Sequence, residues 1–124
     1  MKEPLRCALW KKSTVGLEDL NFESVNVFNK TTHIKRDLFK CRDCGQLYFH
    51  EWYEHMDFNH DAYMYDTYIP VETESDIATL LKNKSTADLE KFLPQLHGSH
   101  TNDTDDSLHW IRTDADREAN IASF

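Results

Sequence analysis

Two aromatic-rich segments joined by a short polar linker constrain the fold of this chain more than any other feature. "QLYFHEWYEHM" covers residues 46–56, "AYMYDTYIPV" covers residues 62–71, and the five residues "DFNHD" separate them. Aromatic and β-branched residues favour strands, and two such runs around a loop of this length are typical of a β-hairpin. The sequence therefore predicts a central antiparallel hairpin at about residues 46–71. Both of its faces mix polar and apolar side chains, so we expect one side to be wet near the tip.

The segments after the hairpin change to helical spacing. In "TESDIATLLKN" apolar residues recur on one helical face, and Thr73 with Asp76 approximates a capping box. "STADLEKFL" predicts a second short helix that Pro94 ends, "GSHTNDTDD" predicts a loop, and "SLHWI" predicts a further strand. The expected fold class is α+β, with one small domain over residues 1–112 and a polar tail over residues 113–124. In that domain an antiparallel sheet contains the central hairpin, and two short helices follow it.

The segments before the hairpin predict their secondary structure less clearly. "DLFKCRDCG" is typical of a strand that enters a tight turn at Gly45. "STVGLEDLNFESVNVF" begins with helical spacing and ends with the alternation of a strand, so its internal boundary stays open. Residues 5–10 fit either a short strand or a helical turn.

Charge is distributed unevenly along the chain, whose formal net charge is −8. Residues 1–42 hold nine Lys/Arg and five Asp/Glu, whereas residues 43–124 hold five and seventeen. No lysine or arginine lies between Arg42 and Lys82, an interval that contains nine acids. Such a segment repels the phosphates of nucleic acids and favours a basic protein partner, whose approach it would steer. A merely solubilising surface is the plainer interpretation.

The cellular location follows from apolar runs and cysteine usage. No apolar run has the length of a membrane span, and the first residues lack the apolar core of a signal peptide. Three cysteines, an odd number, argue against a secreted disulfide framework. We therefore expect a cytoplasmic protein that does not bind membranes.

"CRDCG", residues 41–45, is similar to one half of a tetrahedral zinc site. Its two ligands would be Cys41 and Cys44, and no second CxxC follows. The residues that could complete the site are Cys7, His50, His55 and His60. On a strand, two histidines five positions apart point to opposite faces, so His50 and His55 are poor co-ligands. The favoured interpretation is a tight turn with two reduced thiols, and we expect no metal and no cofactor.

Catalysis is not favoured by the motifs. The imidazoles and carboxylates around His50 could form acid–base pairs. However, the sequence contains no glycine-rich phosphate loop, no nucleophile elbow and no HExxH motif. A redox CxxC is disfavoured as well, because the carboxylate of Asp43 inside the motif opposes formation of a thiolate. We therefore expect a protein without enzymatic activity.

Acids interleaved with aromatic residues in and after the hairpin indicate a binding surface. Tyrosine and tryptophan supply large, rigid contact area, and carboxylates beside them pair with the lysines and arginines of a partner. The predicted partner-binding residues are Glu51, Glu54, Asp57, Asp61, Tyr63, Tyr65, Asp66 and Glu72. The competing interpretation is that the aromatic residues belong to the core and the acids are simply solvated.

Several short motifs carry a resemblance to a known group of proteins. "LFKCRDCGQLYF", "YIPVE", "FLPQL" and the late Trp110 resemble small bacterial proteins of unassigned role. More loosely, the chain resembles the immunity proteins of contact-dependent inhibition and other polymorphic toxin systems, over about residues 37–112. The resemblance implies an acidic, cytoplasmic, single-domain α+β protein that forms a one-to-one complex with a cognate toxin domain, commonly a nuclease, without catalysis. It assigns no individual contact residue, because the interfaces of such proteins vary in position.

The combined expectation is an immunity protein that binds a basic toxin domain and does not bind nucleic acid. The alternative is a small zinc-binding regulatory module that uses Cys41 and Cys44.

Overall fold

The computed structural model describes residues 1–56, 62–100 and 107–117, except for the side chain of His100. Within these residues, seven antiparallel strands form one sheet in the order β1-β7-β6-β5-β4-β3-β2. The strands are β1 (Thr14–Gly16), β2 (Phe22–Lys30), β3 (Ile34–Cys41), β4 (Leu47–Met56), β5 (Ala62–Val71), β6 (Gln95–His100) and β7 (Ser107–Ile111). The small antiparallel-sheet domain with short helices is thus confirmed, although strands dominate it.

The predicted hairpin is formed by β4 and β5. These strands pair along their whole length, from Leu47 opposite Val71 to Met56 opposite Ala62. The linker, residues 57–61, lies outside the described residues. β3 pairs antiparallel with the other side of β4 across the tight turn at Gly45, whose φ is +81°. The hairpin therefore occupies the middle of the sheet.

The two predicted helices follow the hairpin. Helix α1 (Glu74–Lys82) begins after Thr73, whose hydroxyl accepts a hydrogen bond from the Asp76 N–H at 3.1 Å. The Asp76 carboxylate accepts one from the Thr73 N–H at 3.3 Å, which confirms the capping box. The second helix is a short 3-10 helix, Ala87–Lys91, and two others lie at Ala8–Lys11 and Leu17–Asp19. None of the described helices has the length and apolar character needed to cross a membrane.

Three segments have a secondary structure that the sequence predicted wrongly or left open. The predicted loop "GSHTNDTDD" begins inside a strand, because Gly98 and Ser99 pair with Asp66 and Tyr65 of β5. Residues 101–106 of that segment lie outside the described residues. The open stretch before the hairpin divides into β1, a 3-10 helix and β2. The polar tail starts with a helical turn at 114–117.

The sheet is strongly curled. β1 and β2 lie at opposite edges, yet only residues 17–21 connect them. Seven strands in a flat sheet would span about 29 Å at ~4.8 Å per strand, whereas this connection reaches at most about 21 Å. The curl also brings the ring of Phe22 on β2 to 5.3 Å from that of Tyr68 on β5, three strands away.

Each face of the sheet has its own hydrophobic core. On the concave face the N-terminal residues pack against the sheet, and the Trp110 indole N–H donates to the Leu9 carbonyl at 2.8 Å. The convex face is covered by α1 and the following 3-10 helix, over Leu38, Phe49 and Ile69. The sequence predicted the two helices that form the convex covering, but it did not predict which face they cover or that the N-terminal residues pack on the concave face.

Candidate functional site

The hairpin continues past both cores at the end where β4 stops and β5 starts. We call this the outer end and define it as residues 52–56 and 62–65. Its aromatic residues, Trp52, Tyr53, Tyr63 and Tyr65, are partly exposed and belong to neither hydrophobic core. An aromatic group that is not used in the core is a candidate contact surface.

Cross-strand pairing orders these side chains. Tyr53 lies opposite Tyr65 in the register, and their rings stack with centroids 6.0 Å apart. Tyr65 also stacks on the His97 ring of β6 at 6.2 Å. On the other face of β4, the Glu54 carboxylate lies 3.6 Å from the His33 imidazole. The outer end therefore presents rings in fixed positions with one partly exposed carboxylate.

Only some of the predicted partner-binding residues meet at the outer end. Glu54, Tyr63 and Tyr65 lie there, and Asp57 and Asp61 lie outside the described residues. Glu72 follows the far end of β5 and pairs with Lys2 at 3.5 Å, so it is remote from the others. The outer end also contains two residues that the prediction left out, Trp52 and Tyr53. In the register Tyr53 lies opposite Tyr65 and Trp52 lies opposite Asp66, so Tyr53 shares a face of the hairpin with Tyr65 and Trp52 lies on the other face.

Glu51 lies in the interior, which corrects its predicted place on a partner-binding surface. It is 2% exposed, and its Oε2 accepts a hydrogen bond from Arg36 Nε at 2.8 Å. Arg36 also donates to the carbonyls of Asn83 at 2.7 Å and Lys84 at 3.2 Å, just beyond α1. The cause is the register, because Arg36 of β3 stands directly opposite Glu51 on the face that α1 covers. This ion pair joins the hairpin to the helix.

Asp66 takes part in a buried network on the concave face. His50 Nδ1 lies 2.7 Å from Asp37 Oδ1, and His50 Nε2 lies 2.7 Å from Asp66 Oδ1. Lys35 forms an ion pair with Asp37 at 3.3 Å. Because a carboxylate only accepts hydrogen bonds, both ring nitrogens of His50 donate, and the ring is an imidazolium. From Lys35 through Asp37 and His50 to Asp66, positive and negative groups therefore alternate.

Two buried histidines have pKa values shifted in opposite directions. Burial is the largest influence on His50 and lowers its pKa, but the hydrogen bonds to Asp37 and Asp66 outweigh it, so the pKa is raised. Burial and the nearby Arg117 lower the pKa of His97. His97 Nδ1 lies 2.9 Å from the Thr67 hydroxyl. Among the described residues, the best candidates for acid–base chemistry are thus buried and already hydrogen-bonded.

The cysteines form a group that the sequence motif showed only in part. Cys41 and Cys44 lie with Cys7, and the three sulfur atoms are within 4.8 Å of one another. Of the proposed histidine partners, His50 is engaged by two carboxylates and His55 lies at the outer end. His60 lies outside the described residues. The cysteines lie at the opposite end of the hairpin from the outer end.

Comparison with known proteins gives no match, since no family model, no curated protein and no solved structure is similar to this chain. The resemblance to immunity proteins therefore rests on the short motifs alone, and the role of the outer end stays a prediction.

Proposed function

We propose that this protein is an immunity protein that binds and neutralises a cognate basic toxin domain through the outer end of its hairpin. The observation that carries the proposal is the group of partly exposed aromatic residues that neither core uses. Aromatic side chains at the centre of an interface supply most of its binding energy. The complex would be one-to-one and cytoplasmic, and the toxin a nuclease.

The rings of the outer end are ordered before any partner arrives. Tyr53 and Tyr65 are held by cross-strand pairing and stacking, and Tyr65 is held further by His97. A side chain that is already fixed loses little conformational entropy on binding, so more of its contact energy appears as affinity. This favours a rigid docking surface over one that forms only on contact.

The negative charge of the hairpin segment favours a basic partner. The hairpin lies in the interval between Arg42 and Lys82, which has nine acids and no lysine or arginine. Glu54 is partly exposed on the same face of β4 as Trp52, and Asp57 and Asp61 of the linker lie outside the described residues. An acidic surface accelerates encounter with a basic nuclease domain and occupies the place of its phosphate substrate.

The described polar groups support binding rather than catalysis. His50 is 6% exposed and bonded through both nitrogens, and Glu51 is paired with Arg36. A general base must reach the proton it removes from a substrate, and neither group does so here. We therefore propose a protein that acts by occlusion.

Replacing Trp52 or Tyr65 with alanine is expected to weaken the complex by at least about 2 kcal/mol, or roughly 30-fold. Glu54→Gln is expected mainly to slow association and to reduce its dependence on salt, because Glu54 is a partly exposed carboxylate at the edge of the outer end, on the face of Trp52. The partner is first captured from the native organism on immobilised protein and purified. Its affinity for each variant is then measured by calorimetry, and its association rate by stopped flow at several salt concentrations.

Glu72→Gln is the matched control, because Glu72 is an acid of the same segment at the opposite end of β5. It should leave the affinity within about 0.5 kcal/mol of the wild type, the range of surface substitutions that touch no contact. The surface assignment is wrong if the aromatic variants, shown by circular dichroism to be folded, also stay within this range.

A further inference from the structure

Three cysteines from separate parts of the chain converge at the inner end of the hairpin. Cys7 precedes the 3-10 helix Ala8–Lys11, Cys41 is the last residue of β3, and Cys44 lies in the turn to β4. Their sulfur atoms are within 4.8 Å of one another, and none forms a disulfide. Cys7 and Cys41 are buried, whereas Cys44 is exposed. The group thus lies at the protein surface with one open side.

The spacing of the sulfur atoms suits a metal ion. Thiolates bound to tetrahedral zinc lie ~2.3 Å from the metal and therefore about 3.8 Å from one another. From a separation of at most 4.8 Å, each sulfur reaches this arrangement by moving roughly 0.6 Å inward. Small side-chain rotations provide such a movement without any change of the backbone.

Backbone hydrogen bonds hold the cysteines in place. The Cys41 N–H donates to the Gln46 carbonyl at 2.8 Å, and the Gly45 N–H donates to the Cys41 carbonyl at 2.8 Å. Gly45 has a φ of +81°, which a residue with a side chain rarely adopts, and the resulting turn carries Cys44 back toward Cys41. The Cys7 N–H donates to the Pro4 carbonyl at 2.9 Å. The ligand set is therefore preorganised.

A buried polar atom beside the cysteines provides a second, independent observation. Tyr48 has no exposed surface and packs in the same core cluster as Cys7 and Cys41, and its hydroxyl has no partner among the described residues other than a weak contact with the Cys7 sulfur. A buried tyrosine hydroxyl usually has a partner, and a neutral thiol is a weak acceptor. A metal-bound thiolate is a stronger acceptor and would satisfy this hydroxyl.

We propose that Cys7, Cys41 and Cys44 bind one zinc ion as thiolates, with the Tyr48 hydroxyl donating a hydrogen bond to a coordinating sulfur. Binding displaces three thiol protons to solvent, so the affinity rises with pH. The fourth position faces the Cys44 side, where a cleft of about 540 Å³ is lined by Lys2, Arg6 and Gln46, and water completes the tetrahedron there. This site is independent of partner binding, because it lies at the other end of the hairpin.

The test uses the full chain, stripped of metal by a chelator under reducing conditions. Zinc is titrated in competition with a chromophoric chelator, and cobalt is substituted to detect thiolate-to-metal charge transfer. We expect one equivalent of zinc per chain. We expect Cys44→Ser and Cys7→Ser to lower the affinity by at least about 100-fold, and Tyr48→Phe by about 10-fold, as for the loss of a supporting hydrogen bond. His55→Ala, which removes an exposed histidine at the outer end, should leave it unchanged.

Cys44→Ser keeps the test decisive even if substitution of the buried Cys7 unfolds the protein, because Cys44 is exposed. The proposal is overturned if the reduced protein takes up less than half an equivalent of zinc. The proposal is equally overturned if the folded Cys44→Ser variant keeps the wild-type affinity for zinc.

Discussion

Arg36→Met is expected to lower the free energy of unfolding by about 3–5 kcal/mol. Arg36 is 4% exposed, and its guanidinium compensates the buried carboxylate of Glu51 at 2.8 Å. It also donates to main-chain carbonyls at the end of α1, which otherwise have no helical partner. Methionine fills similar volume but leaves a buried, unpaired charge and frees the end of the helix.

Urea unfolding at constant pH measures this effect, with the double variant Arg36→Met/Glu51→Met as control. Removing both members of a buried pair costs much less than removing one, so the double variant should recover most of the lost stability. The account of the ion pair fails if the single variant loses less than about 1 kcal/mol, or if the double variant is no more stable than the single one.

His50→Gln is expected to destabilise the protein by about 3 kcal/mol near pH 6.5, at the lower end of the range for a broken buried pair. The substitution removes the positive charge between Asp37 and Asp66, both of which accept from His50 at 2.7 Å. The effect stays at the lower end because Lys35 remains beside Asp37 and the Asp66 side chain is 18% exposed.

The contribution of His50 to the free energy of unfolding depends on pH and decreases as the pH rises. The folded-state pKa of His50 is raised above its unfolded value by the two carboxylates. The stabilisation is therefore fully present below the unfolded pKa of ~6.5 and is lost as the pH rises through the folded pKa. The stability difference between the wild type and His50→Gln should accordingly shrink between pH 6 and pH 9.

Chemical denaturation of both proteins across this range tests the sign, with His97→Gln as the matched buried control. The pKa of His97 is lowered, so its stabilising contribution is lost as the pH falls below ~6.5 and does not decline on the alkaline side. A difference for His50→Gln that is constant or grows with pH would show that the ring is not an imidazolium in the folded state.

Local signals predicted the parts of the fold that local interactions form. The hairpin follows from two aromatic runs around a polar linker, and α1 follows from the Thr73 and Asp76 capping box. The strand β6 (Gln95–His100) was not predicted at all, and at Gly98 and Ser99 the tendency of these residues to form a turn is overridden by pairing with β5. Local propensity alone does not report such pairing.

The positions of the candidate functional residues could not be predicted from local sequence, because they depend on strand register and on contacts between residues far apart in the chain. Burial of Glu51 and of the His50 network follows once β3 pairs with β4 so that Asp37 stands opposite His50. The tight turn at Gly45 could have predicted this burial, because the position of the turn fixes the register between β3 and β4. Cys7 carried no such signal, because its approach to Cys41 depends on the N-terminal residues packing on the concave face.

The most direct test of the proposed function is a growth measurement. The basic protein captured by immobilised wild type is expressed in cells alone, with the wild type, and with the double variant Trp52→Ala/Tyr65→Ala. The account predicts that the partner alone arrests growth, that the wild type restores it, and that the folded double variant does not. Growth in the presence of the partner alone, or equal rescue by the double variant, would contradict neutralisation through the outer end.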